Sequence, residues 1–223
     1  MMDVKIRGGK AFGFLRVKLQ PRELIIAESG AMASKDCAIE LRSKFNGGGF
    51  IKALLLRFLG KESLFINEFI NESGQERHIV LSQPTPGEII EVELNNETLF
   101  IQPGAYMAST AGIKYKISWA GISSFLAREG LFRLRLFGTG QVWYGAYGAV
   151  IETEVVGHYI VDSGHLLSYP PNITLKAQLS GGIFSSFFSG EGIVLRLEGR
   201  GKIKLQTRSV GGLAGWLNPR FWS

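Results

Sequence analysis

Three stretches of this chain repeat one pattern, and that triplication limits the possible folds more than any other feature. The intervals Gly13 to Gly30 and Gly87 to Gly104 have equal length, and Gly148 to Gly164 is one residue shorter at its central turn. Each reads as apolar strand, polar turn, apolar strand. Nine residues beyond each closing glycine stands an isoleucine: Ile39, Ile113 and Ile173. These open alternating stretches, 39–44, 113–119 and 173–179, whose period of two predicts strands with one buried and one wet face. Small-residue breaks follow at Gly47–Gly49, Ala120–Gly121 and Gly181–Gly182, each leading into an apolar segment. Glycine turns at Glu72–Gly74, Gly138–Gly140 and Gly199–Gly201 predict a closing hairpin in every copy.

A repeat of this kind cannot bury its own apolar strand faces, so neighbouring copies must supply the cover. The expectation is an all-β chain forming a single domain over 1–223. Tandem repeats span about 13–86, 87–147 and 148–209, close into one pseudo-threefold barrel or prism, and are followed by a C-terminal tail, 210–223. Pro84 and Pro86 mark the crossing from the first copy to the second.

Composition agrees with a folded β-rich chain. Of 223 residues, 45% are hydrophobic, which excludes disorder, and 29 are glycine, which favours turns and short strands over long helices. One cysteine, Cys37, cannot form an internal bridge and is expected as a small buried hydrophobe, so a reducing, cytoplasmic setting is expected. The longest greasy segment, Phe50 to Leu59, is interrupted by Lys52 and Arg57 and is too short to span a bilayer. The net charge of +6 suits an anionic surface without requiring one.

Catalytic and cofactor signals are weak. His78, His158 and His165 lack metal-ligand spacing, and His165 takes the position of Ala31 and Ala105 in the other copies. Gly138–Gly140 and Gly211–Gly215 lack the dinucleotide-binding context, and turns account for them. Alternating Glu88, Glu91 and Glu93, and Glu152 with Glu154, fit a wet strand face. The chain is therefore expected to be non-enzymatic, with no catalytic residue, metal or cofactor. An enzyme site at a subunit boundary is the alternative that a single sequence does not display.

Several motifs together resemble the family named for altered inheritance of mitochondria: Gly30–Asp36, Gly60–Phe65, Pro86–Ile90, Phe100–Ser109 and Gly190–Gly199. The resemblance runs from about residue 13 to 209. It implies a fold similar to the tryptophan RNA-binding attenuation protein, with three repeats in one polypeptide and subunits that associate into a ring, for which a trimer is expected. It implies no established reaction, and mitochondrial members are linked to inner-membrane organisation.

The apolar segments after the glycine breaks are the main functional candidates. Phe50, Leu54 and Leu55, then Ile122, Phe125 and Leu126, then Phe184, Phe187 and Phe188 would gather at one rim if the copies are equivalent. Either they plug the core or pack between subunits, or they face a membrane or partner. In the tail, Trp216, Phe221 and Trp222 surround Arg220, a mixture suited to a lipid boundary or a protein interface, while Pro219 argues against a long helix. The leading expectation is an oligomeric scaffold, peripheral on an anionic membrane surface or bound to a membrane protein. The alternative is RNA or single-stranded nucleic acid bound on basic strands containing Lys114, Lys116, Arg133 and Arg135.

Overall fold

Alternating side chains build strands wherever the sequence carries them. A computed structural model describes residues 2–44, 66–119, 132–179 and 193–221, which form fifteen strands and one helix. The strands are β1 (Asp3–Arg7), β2 (Phe14–Leu19), β3 (Leu24–Glu28), β4 (Met32–Lys35), β5 (Ile39–Lys44), β6 (Ile66–Asn71), β7 (Arg77–Ser82), β8 (Ile89–Ile101), β9 (Tyr106–Ser109), β10 (Ile113–Trp119), β11 (Phe132–Gly145), β12 (Val150–Asp162), β13 (Leu166–Tyr169), β14 (Ile173–Leu179) and β15 (Ile193–Gln206). The helix, α1, is Val210–Phe221. The three alternating stretches are β5, β10 and β14, and their opening isoleucines are buried. In β2, Leu15, Val17 and Leu19 turn inward while Arg16 faces solvent, the alternation a one-sided core demands.

The chain divides into two compact units. The first comprises Met1–Glu97, Pro103–Lys114 and Phe137–Ala146; the second comprises Thr98–Gln102, Tyr115–Leu136 and Tyr147–Ser223. Within the first, β1-β2-β7-β4 form an antiparallel sheet, and β9-β3-β6-β5 run side by side in another. Leu15, Leu19, Ile25, Phe69, Leu81 and Trp143 pack its core. Within the second, β12 pairs with β15 along its whole length, and the other side of β15 carries β13 and β14. Val155, Leu166, Tyr169, Leu195, Leu197 and Ile203 pack there.

The closed barrel or prism expected from the sequence does not form. Closure requires every strand to have a neighbour on both sides, whereas among the described residues β1, β4, β5 and β12 are all edges. The hairpins expected at Gly138–Gly140 and Gly199–Gly201 are also altered. Instead β8, β11, β12 and β15 are long continuous strands that bend rather than turn, because the β12 and β15 ladder stays in register from Val150–Gln206 to Asp162–Val194 through Gly157–Gly199. Gly199 permits this bend: its φ is +136°, and a Cβ there would lie 2.2 Å from the Asn172 carbonyl oxygen. Gly138 makes the same close approach to the Gly112 carbonyl.

Several backbone details recur three times. A bulge places Met32 and Ser34 of β4 opposite Leu81 and Val80, Tyr106 and Ala108 of β9 opposite Tyr144 and Trp143, and Leu166 and Ser168 of β13 opposite Leu205 and Lys204. The skipped residues are Ala33, Met107 and Leu167. The carbonyls of Ala31, Ala105 and His165 accept from the N–H groups of Ser82, Gly145 and Gln206. The amides of Ile39, Ile113 and Ile173 each donate to a carbonyl three residues earlier. Arg22, Asn96 and Gly157, at corresponding points of the first strand pairs, all have positive φ.

Candidate interaction surface

Ser209 starts the C-terminal helix by capping it: its Oγ accepts from Gly212 N–H at 3.0 Å, and its carbonyl from Leu213 N–H at 3.0 Å. The helix continues through Pro219 to Phe221, although Pro219 was expected to argue against a long helix. Proline at 219 lacks the N–H that would donate to the Gly215 carbonyl, and only two helical residues follow it. Leu213, Trp216 and Phe221 are exposed, the last at 75%, and the Arg220 guanidinium lies 4.1 Å from the centre of the Trp216 ring. Arg220 also donates to the Trp216 carbonyl. At helical spacing Val210, Leu213, Leu217 and Phe221 lie along one side, so α1 presents an apolar stripe with a cation at its border.

The other sequence-proposed contact residues lie outside the described structure: Phe50, Leu54, Leu55, Ile122, Phe125, Leu126, Phe184, Phe187, Phe188 and Trp222. Except for Trp222, which follows α1, their segments connect β5 to β6, β10 to β11 and β14 to β15. The strand ends are paired where two of these segments leave: Lys44 opposes Ile66, and Leu179 opposes Ile193.

A family model described as mitochondrial biogenesis AIM24 matches residues 4–208. The chain belongs to this family. A similar protein is an uncharacterized protein of Streptococcus pyogenes serotype M6, 24% identical over 214 residues, covering 92% of this chain and 86% of the relative. An X-ray structure of a Streptococcus pyogenes protein superposes with a TM-score of 0.81 at 24% identity, covering 99% of this chain and all of that one. That likeness concerns the fold.

In this AIM24-family chain the histidines have local roles. His165 Nδ1 donates to the Gln206 carbonyl at 2.7 Å, which fixes its ring beside the strand end. Gln206 in turn donates to Gln102 Oε1 and the Gly164 carbonyl and accepts from the Tyr147 amide. His158 lies 3.7 Å from Glu198, and His78 lies between Asp36 and Glu76 at 3.9 and 3.8 Å. Among the described residues, no three His, Cys, Asp or Glu side chains converge as a metal site. Cys37 is exposed, contrary to expectation, because it sits in the tight turn where Ile39 N–H reaches back to Asp36.

The charged strand faces are largely self-neutralising. Glu152 meets Lys204 at 2.7 Å and Lys202 at 3.1 Å, and these lysines hold its carboxyl below the usual range, chiefly by hydrogen bonding. Lys176 does the same for Glu198. Arg133, expected on a wet basic face, is instead buried beside Tyr169. Burial pushes the Tyr169 phenol up to about 12 despite the opposing pull of Arg133. The basic face proposed for nucleic acid therefore loses Arg133 to the interior.

Proposed function

We propose that this protein is a non-enzymatic, self-associating scaffold of three tandem repeats that docks peripherally on an anionic membrane surface. The observation that carries the docking element is α1, an exposed apolar stripe beside Trp216 and Arg220. Burying one such large side chain contributes about 1.5–3 kcal/mol, and a basic residue near an anionic leaflet adds about 1 kcal/mol. One tail would hold weakly, and a ring of three would convert this into stable attachment through high local concentration.

The tripled bulges, carbonyl pairings and left-handed residues support reading the chain as three equivalent copies. On that reading the apolar segments 45–65, 120–131 and 180–192 belong to equivalent element boundaries and add to the docking surface. No helix among the described residues is long and apolar enough to cross a membrane. The family's description, mitochondrial biogenesis, is compatible with work at a membrane but specifies no ligand.

Flotation with phosphatidylcholine vesicles containing phosphatidylserine tests the proposal. Binding at low salt, weakened about tenfold or more by combining Trp216→Ser with Phe221→Ser, supports it. Absence of flotation by a verified, folded oligomer rejects direct lipid contact. Lys114 and Lys116, exposed on β10, leave nucleic acid as the second reading. A titration with mixed-sequence RNA showing no steep salt dependence dismisses it.

A further inference from the structure

Two junctions between consecutive copies use one strand register. In the first, β3 pairs antiparallel with β9, with Ala27 opposite Ala108 and Ile26 opposite Ser109. In the second, β8 pairs antiparallel with β13, with Ile101 opposite Ser168 and Phe100 opposite Tyr169. Counted from the repeat glycines Gly30, Gly104 and Gly164, both junctions join the same positions. The residue three before one glycine opposes the residue four after the next, and the adjoining pair follows.

The same rule defines a third junction from the third copy to a first copy: Val161 opposite Ser34, and Ile160 opposite Lys35. Among the described residues, neither of its strands is so paired. β12 is an edge whose neighbour is β15, and β4 is an edge whose neighbour is β7. Burial reports the difference. Every residue of β9 and of β13 is buried, whereas three of the four in β4 are exposed. Ile26 is 9% exposed, while its counterpart Ile160 is 58% exposed. Tyr159 and Ile160 also border an open groove of about 350 Å³ along β12.

We propose that the edge of β12 receives β4 of a second copy of this chain, in the register already used at the two internal junctions. The occupant is specified by the chain itself: β4 carries the bulge shared by β9 and β13, and its outer edge is open. Because the two surfaces differ, the contact is head-to-tail and propagates into a closed ring or a filament rather than a two-sided dimer. The edge strands, which would otherwise be open templates for aggregation, are covered by assembly. The proposal rests on the three-copy, self-associating reading above and names the strands through which it occurs.

Cysteine pairing tests it in the full-length protein with Cys37→Ser as background, since the native thiol is exposed near β4. Directly opposed residues of an antiparallel pair have Cα atoms about 4.5–5.5 Å apart, within disulfide reach. Chains carrying Ile160→Cys and chains carrying Lys35→Cys are co-expressed, oxidised mildly and resolved without reductant, with particle mass measured by light scattering. The expected result is a covalent dimer that needs both variants. Ile160→Lys, which sets two cations opposite each other on an exposed site, is expected to lower the particle mass at unchanged melting temperature of the core. An oligomer without the mixed crosslink, or one crosslinked by Ile160→Cys alone, overturns the strand assignment while leaving self-association standing. A monomeric wild-type particle overturns both.

Discussion

β13 and β4 have the same length, the same bulge and the same relation to a bent or paired partner strand, yet one is wholly buried and the other mostly exposed. The difference is the neighbour: among the described residues β13 has β8 along its second edge, and β4 has only β7. Local sequence sets the backbone of such a segment, and a second strand decides whether its side chains become core. The comparison also separates residues that hold the fold from residues available for contact.

The largest effect is expected where the comparison is sharpest. Leu166 of β13 and Met32 of β4 occupy matching positions, fully buried and 40% exposed respectively. Leu166→Ala is expected to cost about 2–5 kcal/mol by denaturant unfolding, against under about 0.5 kcal/mol for Met32→Ala in isolated chains. Equal losses would show that β4 is covered by something other than a further copy. Next in size is Gly199→Ala, expected to destabilise by about 1–3 kcal/mol through its positive φ and its collision with the Asn172 carbonyl. Gly74→Ala, whose Cβ would meet open space in the turn between β6 and β7, is expected to be milder. Similar melting temperatures for the two would undo the distinction between a bent long strand and a simple turn.

Smaller effects come from titration. The Tyr169 phenol is raised, so its contribution to stability is complete below the ordinary value of 10 and is lost as pH rises towards about 12. Tyrosinate absorbance recorded with unfolding should show one phenol ionising with loss of structure in that window, and Tyr169→Phe should remove the step. Ionisation at the ordinary value in the folded state would contradict its burial. The Glu152 carboxyl is lowered, so its stabilising effect holds above the ordinary carboxylate range and is lost as pH falls through its depressed value. Lys204→Gln should move its NMR titration midpoint upward, and no movement would remove Lys204 as the cause.

Much of the β architecture was legible in the residues. Ile39, Ile113 and Ile173 stand at the starts of β5, β10 and β14, and strict alternation marked these strands because a half-buried sheet imposes a period of two. The equivalence of Ala31, Ala105 and His165 was visible from glycine spacing, and the corresponding carbonyl contacts share it. Bent strands were less legible: glycine pairs such as Gly199 and Gly201 signal a turn and a bend equally well, since both need unusual backbone angles. Arg133 was read as a surface cation from its alternation with Leu134, but the face that becomes interior depends on what packs over it. Likewise Cys37 looked like a core residue from its place before a strand, and the turn at Asp36 placed it in solvent.

For the contact surface, sequence supplied the residues Trp216, Arg220 and Phe221 but not the helix that orders them. The edges of β12 and β4 carried no signal, because an unpaired strand and a paired one share the same alternation. By itself the sequence determined most of the strands and their order along the chain, since these follow from local periodicity and backbone freedom. Only the tertiary structure decided which edges were mated and which were left open, because pairing between distant strands depends on where the whole chain brings them in space.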